Sequence, residues 1–216
     1  MNRKILFAGA AIVLVAAFVG GALLYKSESA RQASQALERN QASLVKFHSP
    51  TLGNPGAKVH IVEFLDPACG TCAAFYPHVK QIMAANPDKI RLSVRHVPFH
   101  KGADYVVKVL EATRKQGKYW QALEALLASQ DTWTRDHTVL PEMIWKPLEG
   151  LGLNFEQIAI DMTAPEIAQR IEQDLGDAKV LNVTKTPEYF VNGRPLPSFG
   201  LEPLRQLIQD ELKRAY

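Results

Sequence analysis

Two cysteines make up the thiol content of this chain, spaced as Cys69-Gly70-Thr71-Cys72. They are too few for a disulfide scaffold or a four-ligand zinc site. The spacing suits thiol:disulfide exchange, in which a thiolate attacks a disulfide sulfur through a mixed-disulfide intermediate. One sulfur must then ionise easily and stay accessible. The first turn of a helix meets both needs, because its free backbone N–H groups and the positive end of the helix dipole favour negative charge. At such a position Cys69 is the attacking thiolate, and Cys72, one turn further in, resolves the mixed disulfide. The plain alternative is a local disulfide without chemistry.

The flanking pattern supplies that position. Residues 59–65, Val-His-Ile-Val-Glu-Phe-Leu, read as a buried strand that runs directly into Asp66-Pro67-Ala68-Cys69, and residues 70–85 are helix-compatible. A second strand pattern at 90–97 alternates apolar with polar or charged residues before Pro98 ends it. Between Ala103 and Val180 the apolar residues fall at helical spacing: Tyr105, Val109 and Ala112; Trp120, Leu123 and Leu127; Ile167, Ile171, Leu175 and Ala178. Gly150 and Gly152 break this block, Thr163 with Glu166 has capping-box spacing, and Trp120, Trp133 and Trp145 are expected in its core. Strand character returns at 188–191, Asn192-Gly193 signals a hairpin into Arg194-Pro195-Leu196, and an amphipathic helix runs from about Glu202 to Arg214. This order predicts an α/β sheet domain over 47–102 and 181–216, interrupted by an inserted helical domain over 103–180.

A chain of 216 residues, 47% hydrophobic, buries a core of ordinary size, so one globular domain with accessory segments is expected. The net charge is +3, and setting aside Arg3 and Lys4 leaves the remainder nearly balanced. That argues against a nucleic-acid partner, which needs a concentrated basic face. Residues 1–4 form a short basic end, followed by an apolar run from Ile5 to Tyr25 that suffices as a helix to span a bilayer core of about 30 Å. The best small-x-small candidate after it, Ser27-Glu28-Ser29, sits beside Lys26. Residues 5–25 therefore read as a transmembrane signal anchor, with a cleaved signal and a soluble product as the alternative. Either way the domain is exported to a compartment where disulfides persist. Residues 26–46 read as a polar spacer, and Leu37 and Leu44 alone make too weak a heptad seam to support an oligomer.

From about Phe47 to Leu212 the chain resembles the thioredoxin-fold family, and more closely its DsbA-like exported branch. Glu63 lies six residues before Cys69, where the resemblance implies a buried acid that shuttles protons for the resolving cysteine. Its neighbours Val62, Phe64 and Leu65 make surroundings apolar enough to raise a carboxyl pKa. Pro77, five residues after Cys72, matches a helix-kinking proline. Thr186-Pro187 looks like the cis-proline loop that packs against the cysteines and offers backbone groups to a bound peptide, and the helical block sits where DsbA-like proteins carry their insertion. The resemblance implies an α/β thioredoxin-like fold with an inserted helical domain, here preceded by the one transmembrane helix read from residues 5–25. It implies catalysis by Cys69, Cys72 and Glu63, and substrate binding by Thr186 and Pro187. Substrates are exported cysteine-containing proteins, a membrane redox partner recycles the pair, and no cofactor or metal is required. The catalytic domain is expected on the periplasmic side of the inner membrane.

The dipeptide departs from that pattern: Gly70-Thr71 replaces the Pro-His of strongly oxidising members, which suggests a less extreme potential. Thr186 before the proline leans toward isomerase-like relatives. Oxidation, isomerisation and a dedicated reductase therefore stay open. A copper(I)-binding dithiol module is the alternative from another class, although Pro67-Ala68 stands where the familiar copper loop has methionine.

Overall fold

The computed structural model describes residues 18–22, 24–28, 31, 43–44 and 46–216. Two compact units divide the chain, residues 1–41 and 42–216. In the first, residues 18–22 and 24–28 are helical, with Phe18, Leu24 and Tyr25 exposed. Among the described residues no helix is long and apolar enough to cross a membrane. The basic end at 1–4, most of the apolar run 5–25 and most of the spacer 26–46, Leu37 included, lie outside the described residues.

The second unit opens with β1 (Thr51–Gly53), β2 (Val59–Leu65), α1 (Gly70–Ala84) and β3 (Ile90–His96). The inserted block follows as α2 (Ala103–Lys115), α3 (Tyr119–Ala128), α4 (Gln130–Trp133), a small hairpin of β4 (Thr134–Arg135) and β5 (Thr138–Val139), α5 (Phe155–Asp161) and α6 (Pro165–Val180). The chain closes with β6 (Glu188–Val191), β7 (Arg194–Pro195) and α7 (Leu201–Ala215). The main sheet runs β1-β3-β2-β6-β7. β2 and β3 are parallel, joined through α1 by the crossover that parallel neighbours require, and the other pairs are antiparallel. Asn192 and Gly193 take φ of 49° and 82°, the positive values a two-residue hairpin turn demands.

Alternation along β2 sorts the core. Val59, Ile61 and Leu65 pack with Cys72, Tyr76 and Val79 of α1 and with Leu204 and Ile208 of α7. Val62 and Phe64 pack on the opposite face with Phe190, Val97, Ala178 of α6 and Leu44. Helices on both faces explain why β2 is an almost continuous apolar run.

The structure corrects several expectations. The polar residues of β3 are buried as well as its apolar ones: Arg95 lies under α6 against Asp174 and Asp177, Ser93 is held by Thr51 and His60, and His96 packs on Tyr119. Leu44, read as part of a spacer, is 1% exposed in the core, whereas Phe47, the expected first residue of the domain, is 98% exposed. Thr163 and Glu166 do not cap α6: Ala164 is the N-cap with Pro165 following, and the Thr163 hydroxyl donates to the Ile160 carbonyl instead. A proline in the first turn presets φ and removes one N–H that a cap would serve. The block 103–180 also contains the β4–β5 hairpin, and β1 emerges from a stretch read as loop. Trp133 is fully buried, its indole N–H donated to the Leu126 carbonyl at 2.9 Å, while Trp120 and Trp145 pack at the margin of the core.

Candidate active site

β2 delivers the chain to α1 through only Asp66, Pro67 and Ala68. The Asp66 carboxylate accepts from the Ala68 N–H at 2.8 Å and its carbonyl accepts from the Cys69 N–H at 3.0 Å, folding the loop into a tight turn. Cys69 then serves as the N-cap of α1, with extended dihedrals, and its carbonyl takes the first helical hydrogen bond from Ala73. No acidic side chain occupies the first turn, so no carboxylate competes there with the Cys69 sulfur for the positive helix end. Pro77 lies inside the helix.

Both thiols are free, and their settings differ. Cys69 is 6% exposed and Cys72 is sealed at 0%. The Cys69 Sγ lies 3.3 Å from the Thr186 carbonyl, immediately before the cis Thr186–Pro187 peptide. The Cys69 pKa falls from 9.0 to about 5. The largest cause is a hydrogen bond from the Cys72 thiol; burial opposes it, and the Thr186 side chain and the backbone N–H groups of Cys72 and Thr71 add to the lowering. Cys72 moves the other way, raised first by burial and then by Cys69 and Glu63, with only the Asp66 backbone favouring its charge. Ionising one sulfur thus holds the proton on the other.

Glu63 is fully buried on the face of β2 that carries the α1 core, and burial raises its pKa from 4.5 to about 8. Tyr189, directly opposite in the β2–β6 register, tempers the rise, and negative charge on Cys69 adds to it. Among the described residues neither Glu63 oxygen nor the Tyr189 hydroxyl makes a hydrogen bond of good geometry, and it is a loose interaction between the two that tempers the rise. The carboxyl is therefore neutral over a wide pH range and is held near the thiol that resists ionisation. Such an arrangement can separate attack from proton transfer: one sulfur supplies the nucleophile, the other keeps its proton until an acid-base group takes it.

Five residues singled out from sequence stand together here. Cys69, Thr186 and Pro187 meet at the helix start, and Cys72 and Glu63 lie beneath them in the core. His78 does not join them; it lines a surface cavity of about 250 Å³ between α1 and α7. His96 is buried on the Tyr119 hydroxyl at 2.7 Å. Sequence reasoning missed Asp66, Tyr189 and Gln130, and set His100 aside together with His78 and His96, because a lone histidine is more often structural. Tyr189 was findable, since it lies two residues after Pro187 on a strand that had to pair with β2. Gln130 gave no signal, yet its amide donates to the Pro67 carbonyl at 2.6 Å across the fold.

A family model described as Thioredoxin matches residues 46–210. The chain belongs to the thioredoxin family. Within the solved thioredoxin folds it is similar to a thioredoxin-like oxidoreductase from Silicibacter pomeroyi DSS-3, with 29% identity, a TM-score of 0.69 and coverage of 82% of this chain and 98% of that one. It is also similar to the thiol-disulfide exchange protein α-DsbA2 from Wolbachia pipientis, at 21% identity and a TM-score of 0.69, covering 82% of this chain and 94% of that one. The latter likeness is one of fold. A Na(+)/H(+) antiporter NhaA from Herminiimonas arsenicoxydans is 31% identical over 144 residues, which are 67% of this chain. The chain spans only 22% of that protein's length.

Proposed function

We propose that the chain is a thiol:disulfide oxidoreductase that forms or rearranges disulfides in exported proteins. The observation that carries the proposal is the split between the sulfurs: Cys69 low in pKa, rim-placed and touching Thr186, and Cys72 high in pKa and sealed. In the attacking direction the Cys69 thiolate displaces one sulfur of a substrate disulfide and forms a mixed disulfide, and the substrate thiolate leaves. Glu63 in its ionised form, the minor one below about pH 8, takes the Cys72 proton; Cys72 then attacks Cys69 and releases the second substrate sulfur as a thiolate, so that two electrons have passed to the substrate and the Cys69–Cys72 disulfide remains. In the forming direction the same steps run backwards, two substrate thiols give up the electrons, and a membrane redox partner removes them from the enzyme. A leaving thiol of low pKa departs fastest, which suits Cys69 to release an oxidised product. Thr186 and Pro187 offer backbone groups to the substrate segment next to its cysteine.

The apolar run at 5–25 supports a single-pass anchor in the inner membrane with the domain on the periplasmic side. Cation transport is not carried over from the antiporter relative, because the shared segment is so small a part of it. The test is direct. Cys69→Ser should abolish insulin reduction and the refolding of a scrambled-disulfide substrate, and Cys72→Ser should accumulate mixed disulfides visible on non-reducing gels. Full activity in both variants sinks the proposal. The reduction potential of the domain then assigns it as oxidant, isomerase or reductant.

A further inference from the structure

The turn that aims Cys69 is held from outside the Cys-x-x-Cys motif. Asp66 is fully buried, and its carboxylate collects three donors: the Ala68 N–H at 2.8 Å on one oxygen, and on the other the His100 backbone N–H at 2.8 Å and the His100 ring at Nδ1, 2.6 Å away. A carboxylate only accepts, so Nδ1 carries the proton and the ring is oriented by this contact. The main chain of the same residue faces both cysteines, its carbonyl accepting from the Cys69 N–H at 3.0 Å and its backbone favouring charge on Cys72. Side chain and main chain of Asp66 thus both hold the turn that carries the two sulfurs.

His100 is in turn braced by the inserted block. Its ring, 24% exposed, stacks on His137 with centroids 5.0 Å apart and planes 26° from parallel. His137 stands at the β4–β5 turn with φ of 57°, and that hairpin is tied back to the His100 neighbourhood by the Val139 N–H on the Lys101 carbonyl at 3.0 Å. A second grip comes from Gln130 of α4 on the Pro67 carbonyl.

We propose that Asp66 and His100 are positioning residues of the exchange site, with the His137 ring as their brace, so that the inserted block sets how readily Cys69 ionises. The proposal rests on Cys69 being the attacking sulfur. Losing the imidazole leaves a buried carboxylate short of one charge-assisted donor and loosens the turn beside the thiolate. The Asp66 charge, left with fewer donors, then works more strongly against a second anion at Cys69.

The experiment titrates the Cys69 thiolate by ultraviolet absorbance and measures the glutathione equilibrium in the wild type, His100→Ala, His100→Asn and His137→Ala, each checked for folding by circular dichroism. His100→Ala should lower the thiolate-to-thiol ratio at fixed pH about tenfold, and an equal change in the exchange equilibrium makes the pair about 30 mV less oxidising. The Asn amide can donate where Nδ1 did, so His100→Asn should return both readings toward wild type. His137→Ala should move them the same way as His100→Ala by a smaller factor. A folded His100→Ala protein with wild-type titration and potential overturns the proposal, as does an alanine effect that His100→Asn fails to repair. If His100→Ala does not fold, an unchanged His137→Ala protein overturns it instead. A wild-type Cys69 that titrates as an ordinary thiol is a separate outcome: it removes the exchange reading itself.

Discussion

Two ionisable side chains enter the core from neighbouring strands one register step apart, and they are treated in opposite ways. Glu63 of β2 pairs across from Val94, and Arg95 of β3 pairs across from Phe64. Arg95 is fully buried on the α6 face with every arm of its guanidinium engaged: Nε on Asp174 at 2.7 Å, Nη2 on Asp177 at 2.5 Å, Nη1 on the Ser43 and Leu44 carbonyls, and its plane over the Phe64 ring. Asp174 completes the set by accepting from His48 and the His96 backbone. Glu63 on the α1 face has no such partners. A buried charge that is fully paired is architecture, and a buried acid left unpaired is a proton store whose charge the fold suppresses. Under the exchange reading proposed above, the two faces of one sheet divide the labour between holding the domain together and doing its chemistry.

That division can be broken by mutation. The largest effect is expected from Arg95→Met, which strands Asp174 and Asp177 without their cation and should cost about 3–5 kcal/mol in urea unfolding. Cys69 reactivity in the folded fraction should stay at the wild-type value; a large loss of reactivity with full stability would reverse the assignment of the two faces.

Glu63→Gln should act in the opposite sense. Below about pH 4.5 both folded and unfolded wild type hold the Glu63 proton; between there and about 8 only the unfolded chain releases it, so stability falls as pH rises and levels off above the folded value. At about 1.4 kcal/mol per unit of pKa difference this amounts to several kcal/mol. The Gln variant lacks the slope, so its advantage over wild type should grow from pH 5 to pH 8, while resolution of the mixed disulfide slows more than attack in stopped-flow traces. Asp174 contributes with the opposite sign: its folded pKa is lowered below 3.8, so its stabilisation is present above that value and disappears as pH falls through the folded one. A flat stability difference between Glu63→Gln and wild type across this range would contradict the suppressed charge. The smallest effect belongs to Tyr189→Phe: removing the hydroxyl that tempers Glu63 should move the pH dependence of the resolution step upward and leave the attack rate unchanged.

Much of this was legible in the residues, and the failures share a cause. The apolar run of β2, the Asn-Gly turn and the amphipathic α7 announce themselves locally, and the burial of Glu63 followed from its immediate neighbours. The burial of Arg95 did not, because a strand that alternates Arg, Ser and His with apolar residues is indistinguishable from a half-solvated one until α6, far along the chain, is laid over it. Leu44 failed for the same reason in miniature: the short Leu44-Val45 pair after Gln, Ala and Ser is too brief to carry a period. The grip of Asp66, His100 and Gln130 on the cysteine turn joins three separate segments, so no spacing rule could have reported it.

The carbonyls of Ser43 and Leu44 that Arg95 uses lie ahead of the first strand, and the Leu44 side chain fills the core beneath them. This stretch stitches the domain shut at its amino-terminal side. A soluble version trimmed at Phe47, whose exposed ring invites a cut, would forfeit the stitch and expose the α6 face; the folding unit begins at or before Ser43.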